Sequence, residues 1–243
     1  MERHIVIAGQ GRAGTTLFYN MLRSTLKGFN MPDSEVQARQ YLDKPGNYCT
    51  KRPFDIFDIP NILKEAQGKK HVDLIITMRD PRDVLLSKHK RVPDDYFVGA
   101  DHCWFVPQGV EPTYNAPGIL PTHHAITTII NSGIFPNGVF VLKYEDLVDN
   151  PEGIKDILAE AYGMEFEGDF SDFYKQDIPD DLSRALNGIR PVEKAKEPKW
   201  KKPEHRQRIL DQFTRFPDLH KVLINFGYED DTKWFEDLIM MED

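Results

Sequence analysis

The stretch from His4 to Leu22 constrains this chain more than any other. Ile5-Val6-Ile7-Ala8 is a short apolar run rich in β-branched residues, the pattern of a buried strand. It runs directly into Gly9-Gln10-Gly11-Arg12-Ala13-Gly14-Thr15-Thr16. From Thr15 to Leu26, the residues Leu17, Phe18, Met21, Leu22 and Thr25 recur on one helical face. A strand, a glycine-rich loop and a helix in this order make an anion cradle. Glycines let successive backbone N–H groups point at one centre, and the helix N-terminus adds partial positive charge. A tight turn alone would need neither three glycines nor an arginine with two hydroxyls.

The rest of the chain alternates strands with helices. Tyr48-Cys49-Thr50-Lys51 reads as a strand ended by Pro53, and Ile59 to Gln67 as a helix closed by Gly68. Val72 to Met78 is the clearest strand. Asp80-Pro81 then supplies an N-cap and a first helical residue, predicting a helix to about Lys90. Residues 92–120 are rich in Pro, Gly and aromatics and read as a long loop or small insertion on the substrate side. Pro121 to Ser132 is helical, Val139 to Leu142 a buried strand, and Pro151 to Tyr162 a helix. Residues 165–203 are irregular, with a basic cluster from Arg190 to Lys202, and helices occupy Glu204 to Phe226. This alternation predicts an α/β fold: a mainly parallel sheet flanked by helices, with ligands at the carboxyl ends of the strands. A chain of 243 residues suits one such domain, 1–243.

Composition narrows the partners. A net charge of −8 argues against nucleic acid, which demands a basic surface. Cys49 and Cys103 are too few for a disulfide framework and stand in no CxxC pair. The start of the chain lacks the pattern of a signal peptide, and no apolar run is long enough to span a bilayer. The expectation is a cytoplasmic protein that binds neither nucleic acid nor membrane.

The loop fits two general templates. Gly9, Gly11 and Gly14 match GxGxxG, but a dinucleotide site needs a second strand ending in Asp or Glu about 20 residues on. Here that stretch is Lys27-Gly28-Phe29-Asn30-Met31-Pro32-Asp33, with no strand pattern. Gly9, Gly14 and Thr16 nearly match the P-loop GxxxxGK[ST], but Thr15 stands where the lysine belongs and the cation has moved to Arg12.

A third pattern fits better. Gly11-Arg12-Ala13-Gly14-Thr15-Thr16-Leu17 resembles the 5′-phosphosulfate loop of sulfotransferases that use 3′-phosphoadenylyl sulfate (PAPS). Arg79-Asp80-Pro81-Arg82-Asp83-Val84, with Ser87 expected on the following helix, resembles that family's 3′-phosphate motif. A guanidinium fork at a strand end suits a phosphate. Tyr144-Glu145-Asp146-Leu147 after a strand is also typical of the family. It is read as structural, with Glu145 or Asp146 capping and Leu147 in the core. Arg190 to Trp200 resembles the family's C-terminal basic loop and its Trp, with Arg190 and Lys194 as the expected 3′-phosphate ligands. The glycine of the cytosolic version of that loop is absent.

The resemblance implies a P-loop-like sulfotransferase fold and in-line transfer of a sulfuryl group from PAPS to a hydroxyl or amine. A P-loop small-molecule kinase and a non-catalytic nucleotide-binding module are the alternatives. Gly11, Arg12, Ala13, Gly14, Thr15 and Thr16 would hold the phosphosulfate, with Arg12 and Lys51 as catalytic cations. Cytosolic members carry Lys-Thr-His-x-Pro near this strand. Thr50-Lys51-Arg52-Pro53 keeps a lysine and lacks the histidine, so that base does not carry over. Heparan-type members place a catalytic glutamate a little over twenty residues after the loop's basic residue, and Glu35 stands there. Glu35 is the first candidate for the base, with Asp55, His123 and His124 in reserve. No cluster of residues has metal-ligand spacing, and this chemistry requires no metal. The acceptor is expected to be a small molecule or carbohydrate, met by Tyr96, Phe97, Trp104, Phe105 and Tyr114.

Overall fold

The structure is a computed structural model that describes residues 1–88, 92, 97–105, 111, 113–186, 188–193 and 197–240. It opens with strand β1 (Glu2–Gly9), the glycine loop and helix α1 (Thr15–Thr25). Strand β2 (Tyr48–Lys51), helix α2 (Ile59–Ala66), strand β3 (Lys70–Met78) and helix α3 (Pro81–Leu85) follow. Next come strands β4 (His102–Phe105) and β5 (Thr113–Pro117), helix α4 (Ile119–Asn131) and strand β6 (Phe140–Lys143). The remaining helices are α5 (Tyr144–Asp149), α6 (Pro151–Tyr162), α7 (Asp180–Ala185), α8 (Arg206–Arg215), α9 (Asp218–Asn225) and α10 (Lys233–Met240). Among the described residues, no helix is long and apolar enough to cross a membrane.

The chain divides into two units, Met1–Met78 with Thr128–Lys194, and Arg79–Thr127 with Ala195–Asp243. The first holds a four-stranded sheet of order β2-β1-β3-β6, parallel throughout. Parallel strands share one carboxyl edge, so Gly9, Lys51, Met78 and Lys143 all end on the same side. Ile5, Val6, Ile7 and Ala8 are fully buried in the central strand, as a sheet covered on both faces requires. The core packs Phe18, Met21 and Leu22 of α1 with Ile5, Ile7, Leu142, Leu147, Leu158, Phe170 and Phe173. Phe18 meets Phe170 edge-on at 6.2 Å. Asn150 caps α6 by accepting from the Gly153 N–H at 3.0 Å, with Pro151 at the first helical position.

The second unit holds α3, the antiparallel β4–β5 pair and helices α8 to α10. Its centre is a buried arginine. The Arg82 guanidinium lies 3.8 Å from the Trp200 ring centre and 4.6 Å from that of Trp234. Asp80 and Glu229 both bond to it. A buried charge needs such pairing to be tolerated at all.

Several elements differ from expectation. Helix α3 ends at Leu85, where burial falls away: Leu86 and Ser87 are partly exposed and Lys88 is exposed, while Lys90 lies outside the described residues. Ser87 therefore lies beyond the helix, its N–H donating to the Val84 carbonyl at 2.9 Å. Residues 92–120 contain the β4–β5 hairpin, whose register shifts between Cys103 and Trp104 and so hides the alternation. Tyr96 lies outside the described residues. In α5, Glu145 and Asp146 fall in the first turn, where their charge favours the helix N-terminus, and Lys143 holds the cap position. Leu147 is in the core as expected. Helix α10 lies beyond the last helix expected.

Two buried histidines make stability depend on pH. Burial, with the nearby Lys70 charge, pushes His4 down to about 3; burial alone pushes His123 down to about 3. Both fall below the ordinary 6.5, so the unfolded chain takes up protons that the folded one refuses. Stability is then full above 6.5 and declines as the pH falls toward 3, by up to about 1.4 kcal/mol per pH unit for each histidine. His123 packs edge-on against Phe226 at 4.6 Å, and neither ring nitrogen has a hydrogen-bond partner among the described residues. Replacing His123 by Phe should keep or raise stability at neutral pH and lessen the acid decline by about one proton's worth. Urea unfolding of the two proteins across this range measures it, and equal slopes would rule it out.

Candidate active site

The glycine loop begins where β1 closes on β3. Gly9 has φ +122°, and a Cβ there would sit 2.6 Å from the Thr77 carbonyl oxygen. Its absence lets the Gln10 N–H donate to that oxygen at 2.8 Å. Arg12 is left-handed at φ 65°, a conformation that costs a side-chain-bearing residue energy and collects at functional sites. Gly14, at φ +77°, is left-handed too, and the Tyr144 ring fills the space a Cβ would need, 2.4 Å from Cδ2. Around Gly11 a Cβ would meet nothing within 4 Å. Gly14 is the N-cap of α1 and offers no side chain, so the N–H groups of the first turn face outward from the helix end.

The two threonines play different parts. The Thr77 hydroxyl donates to the Ala8 carbonyl at 3.3 Å and lies 2.8 Å from the Thr15 hydroxyl. Thr77 has one proton to give, so Thr15 donates to it. Thr15 is thus buried and spent on joining α1 to the sheet. Thr16 is the polar one. Its hydroxyl accepts from the Lys51 ammonium at 2.9 Å, which leaves its own proton for another acceptor.

Lys51 ends β2 with only 3% of its side chain exposed. Besides Thr16, its ammonium donates to Glu35 Oε2 at 2.9 Å. Glu35 is half-exposed, so this carboxylate is reachable from solvent while one oxygen is fixed on the cation. The expected residues Thr16, Glu35 and Lys51 therefore meet, with the ammonium at the start of α1.

The other expected residues are placed as follows. Arg79 follows directly on β3, and its guanidinium bonds Asp83 Oδ2 at 3.0 Å. The other oxygen of Asp83 accepts from the Trp200 N–H at 3.2 Å. In this unit one carboxylate thus joins the arginine to the loop that carries the tryptophan. Arg190 is exposed on the first unit, and Lys194 lies outside the described residues. Asp55 is buried, accepting from the Ala38 N–H at 2.9 Å and from Arg52 at 3.1 Å. Burial raises its pKa, opposed by those two donors. His123 is buried and His124 exposed. The parts of Thr77 and Tyr144 escaped the sequence reading, because they lie in contacts with the glycine loop from distant segments, which leaves no motif.

No protein-family model matches the sequence, and no curated protein matches it either. The fold is shared with solved structures. The sulfotransferase domain from the curacin biosynthetic pathway aligns with a TM-score of 0.53 at 17% identity, covering 88% of this chain and 98% of that one. Mouse sulfotransferase SULT7A1 complexed with PAP aligns with a TM-score of 0.51 at 12% identity, covering 88% of this chain and 84% of that one. The chain has a sulfotransferase-like fold, built on a parallel sheet flanked by helices.

The loop geometry separates its glycines. Replacing Gly14 by Ala puts a Cβ into the Tyr144 ring at a left-handed φ, and should destabilise the protein by about 1–3 kcal/mol. The same change at Gly11 should stay within about 0.5 kcal/mol. Equilibrium unfolding of both variants checks the contrast.

Proposed function

We propose that this chain transfers a sulfuryl group from PAPS to a hydroxyl or amine of a small-molecule or carbohydrate acceptor. The meeting of Lys51 with Thr16 and Glu35 at the mouth of the glycine loop carries this reading. The shared sulfotransferase fold supports it, as does PAP in one structure of that fold.

The reaction is a displacement at sulfur. The acceptor oxygen or nitrogen attacks in line, its proton passes to Glu35, and the sulfur–oxygen bond to the 5′-phosphate breaks. Negative charge then grows on the leaving phosphate oxygen. Preorganised donors placed there lower the barrier. The first-turn N–H groups of α1, the Thr16 hydroxyl, Lys51 and Arg12 are assigned to this task. Lys51 also holds one oxygen of the Glu35 carboxylate in place, and Glu35 Oε1 is assigned to the acceptor proton. Arg79 is assigned to the 3′-phosphate, with Ser87, Arg190 and Lys194 as further donors. The aromatic β4–β5 hairpin is assigned to the acceptor.

Binding tests the donor. Adenosine 3′,5′-bisphosphate should raise the melting temperature without magnesium, and ATP with magnesium should not. The opposite result would favour a kinase. Replacing Arg79 by Ala should weaken adenosine 3′,5′-bisphosphate about 10- to 100-fold while leaving adenosine 5′-phosphate nearly unchanged. Equal losses would remove its role.

Transfer tests the chemistry. Labelled sulfate should move from PAPS to members of an acceptor panel. Replacing Glu35 by Gln should lower the rate about 10²–10⁴-fold and leave nucleotide affinity within about threefold. A protein that binds the nucleotide and never transfers sulfate would be a binding module.

A further inference from the structure

Glu35 stands on a segment that has little to hold it. Residues 31–37 form neither helix nor strand, and all of their side chains are at least partly exposed. Such a segment samples many conformations unless it is tied down. Two buried groups tie it, each three residues from Glu35. On the N-terminal side, the Tyr19 hydroxyl of α1 donates to the Pro32 carbonyl at 2.7 Å. On the C-terminal side, the Ala38 N–H donates to Asp55 Oδ2 at 2.9 Å. Tyr19 and Ala38 are fully buried and Asp55 is 1% exposed; the Ala38–Asp55 bond is buried and the Tyr19–Pro32 bond partly so.

Asp55 is a buried carboxylate that the proposed chemistry does not use. Burying one is costly unless its oxygens are satisfied. Here the donors are the strap's own Ala38 N–H and the Arg52 guanidinium. Asp55 lies in the single turn Pro53–Phe57 that follows β2, and the Arg52 N–H donates to Ile7 of β1 at 3.0 Å. Lys51 ends β2 itself. The cation that pairs with Glu35 and the carboxylate that clips its strap therefore leave the same anchored strand end.

We propose that Asp55 and Tyr19 are positioning residues that clip the segment 32–38 at both ends and hold Glu35 against Lys51. This rests on the reading of Glu35 as the group that takes the acceptor proton. Misplacing a catalytic group by about 1 Å costs up to about 100-fold in rate, so the clips matter to turnover while touching no substrate.

The test uses the whole chain with Asp55→Ala, Asp55→Asn and Tyr19→Phe, each alone and combined with Glu35→Gln. Amide hydrogen exchange over residues 33–38 reads the strap directly. Sulfate transfer from PAPS reads its consequence. Asp55→Ala and Tyr19→Phe should speed exchange about tenfold or more and lower kcat about 10- to 100-fold, with the donor KM within about twofold. Asn can still accept from the Ala38 N–H, so Asp55→Asn should restore most of both. On the Glu35→Gln background the same changes should cost kcat nothing further, because they act through Glu35. Unchanged exchange in both Asp55→Ala and Tyr19→Phe would overturn the clips. Faster exchange with equal kcat losses on both backgrounds would overturn their action through Glu35. Should Asp55→Ala fail to fold, Asp55→Asn and Tyr19→Phe carry the same comparison. If Glu35→Gln alone keeps full transfer, the assignment of the base fails, and the exchange rates still decide whether the strap is clipped.

Discussion

The closure of β1 on β3 at Gly9 and Thr77 governs the first unit. A side chain at residue 9 would collide with the Thr77 backbone; without one, the Gln10 N–H reaches the Thr77 carbonyl. The Thr77 hydroxyl then bonds Ala8 on one side and receives Thr15 on the other. This small knot fixes three things together. It sets where the strand stops, where the loop turns and how α1 leaves the sheet. With α1 aimed, Phe18, Met21 and Leu22 enter the core, and the helix N-terminus points along the carboxyl edge of the sheet.

The elements that were legible in the sequence share a cause. Ile5–Ala8, Val72–Met78 and Pro151–Tyr162 carry strong local patterns: mostly apolar runs, or Asn-Pro at a helix start. Their positions follow from local physics, and the structure keeps them. The β4–β5 hairpin and the short α3 were illegible for the converse reason. A register shift breaks the hairpin's alternation, and α3 stops where burial runs out while its capping signal is still intact. Capping says where a helix starts. Packing says how long it lasts.

Residue types at the site were legible, but their pairing was not. The sequence singles out Arg12, Glu35 and Lys51 as charged groups near a phosphate loop, from spacing and resemblance. It does not reveal that Lys51 touches both Thr16 and Glu35, because that contact joins three separate segments. Nor does it separate Thr15 from Thr16, adjacent and identical in type. Only the sheet partner Thr77 distinguishes the buried, inward-donating hydroxyl from the one left facing outward. Asp55 illustrates the same limit. In the sequence it is a carboxylate after a strand, held in reserve as a base behind Glu35. In the structure its oxygens are held by a backbone N–H and an arginine.

The missing P-loop lysine can now be given a physical reason. Residue 15 lies against the sheet, 5% exposed, with its hydroxyl on Thr77. A lysine there would have to bury its long stem against β3 or tear the knot at Gly9 open. Besides Arg12 within the loop, a second cation comes from the end of β2, where the Lys51 ammonium reaches Thr16. A lysine arriving from that side is itself buried and must be compensated, because an unpaired buried charge is costly. The nearby segment 32–38 supplies Glu35. The threonine at residue 15 joins the loop to β3, and its neighbour Thr16 joins it to the Lys51–Glu35 pair. The result is a carboxylate beside the glycine loop, fixed there by the ammonium it compensates.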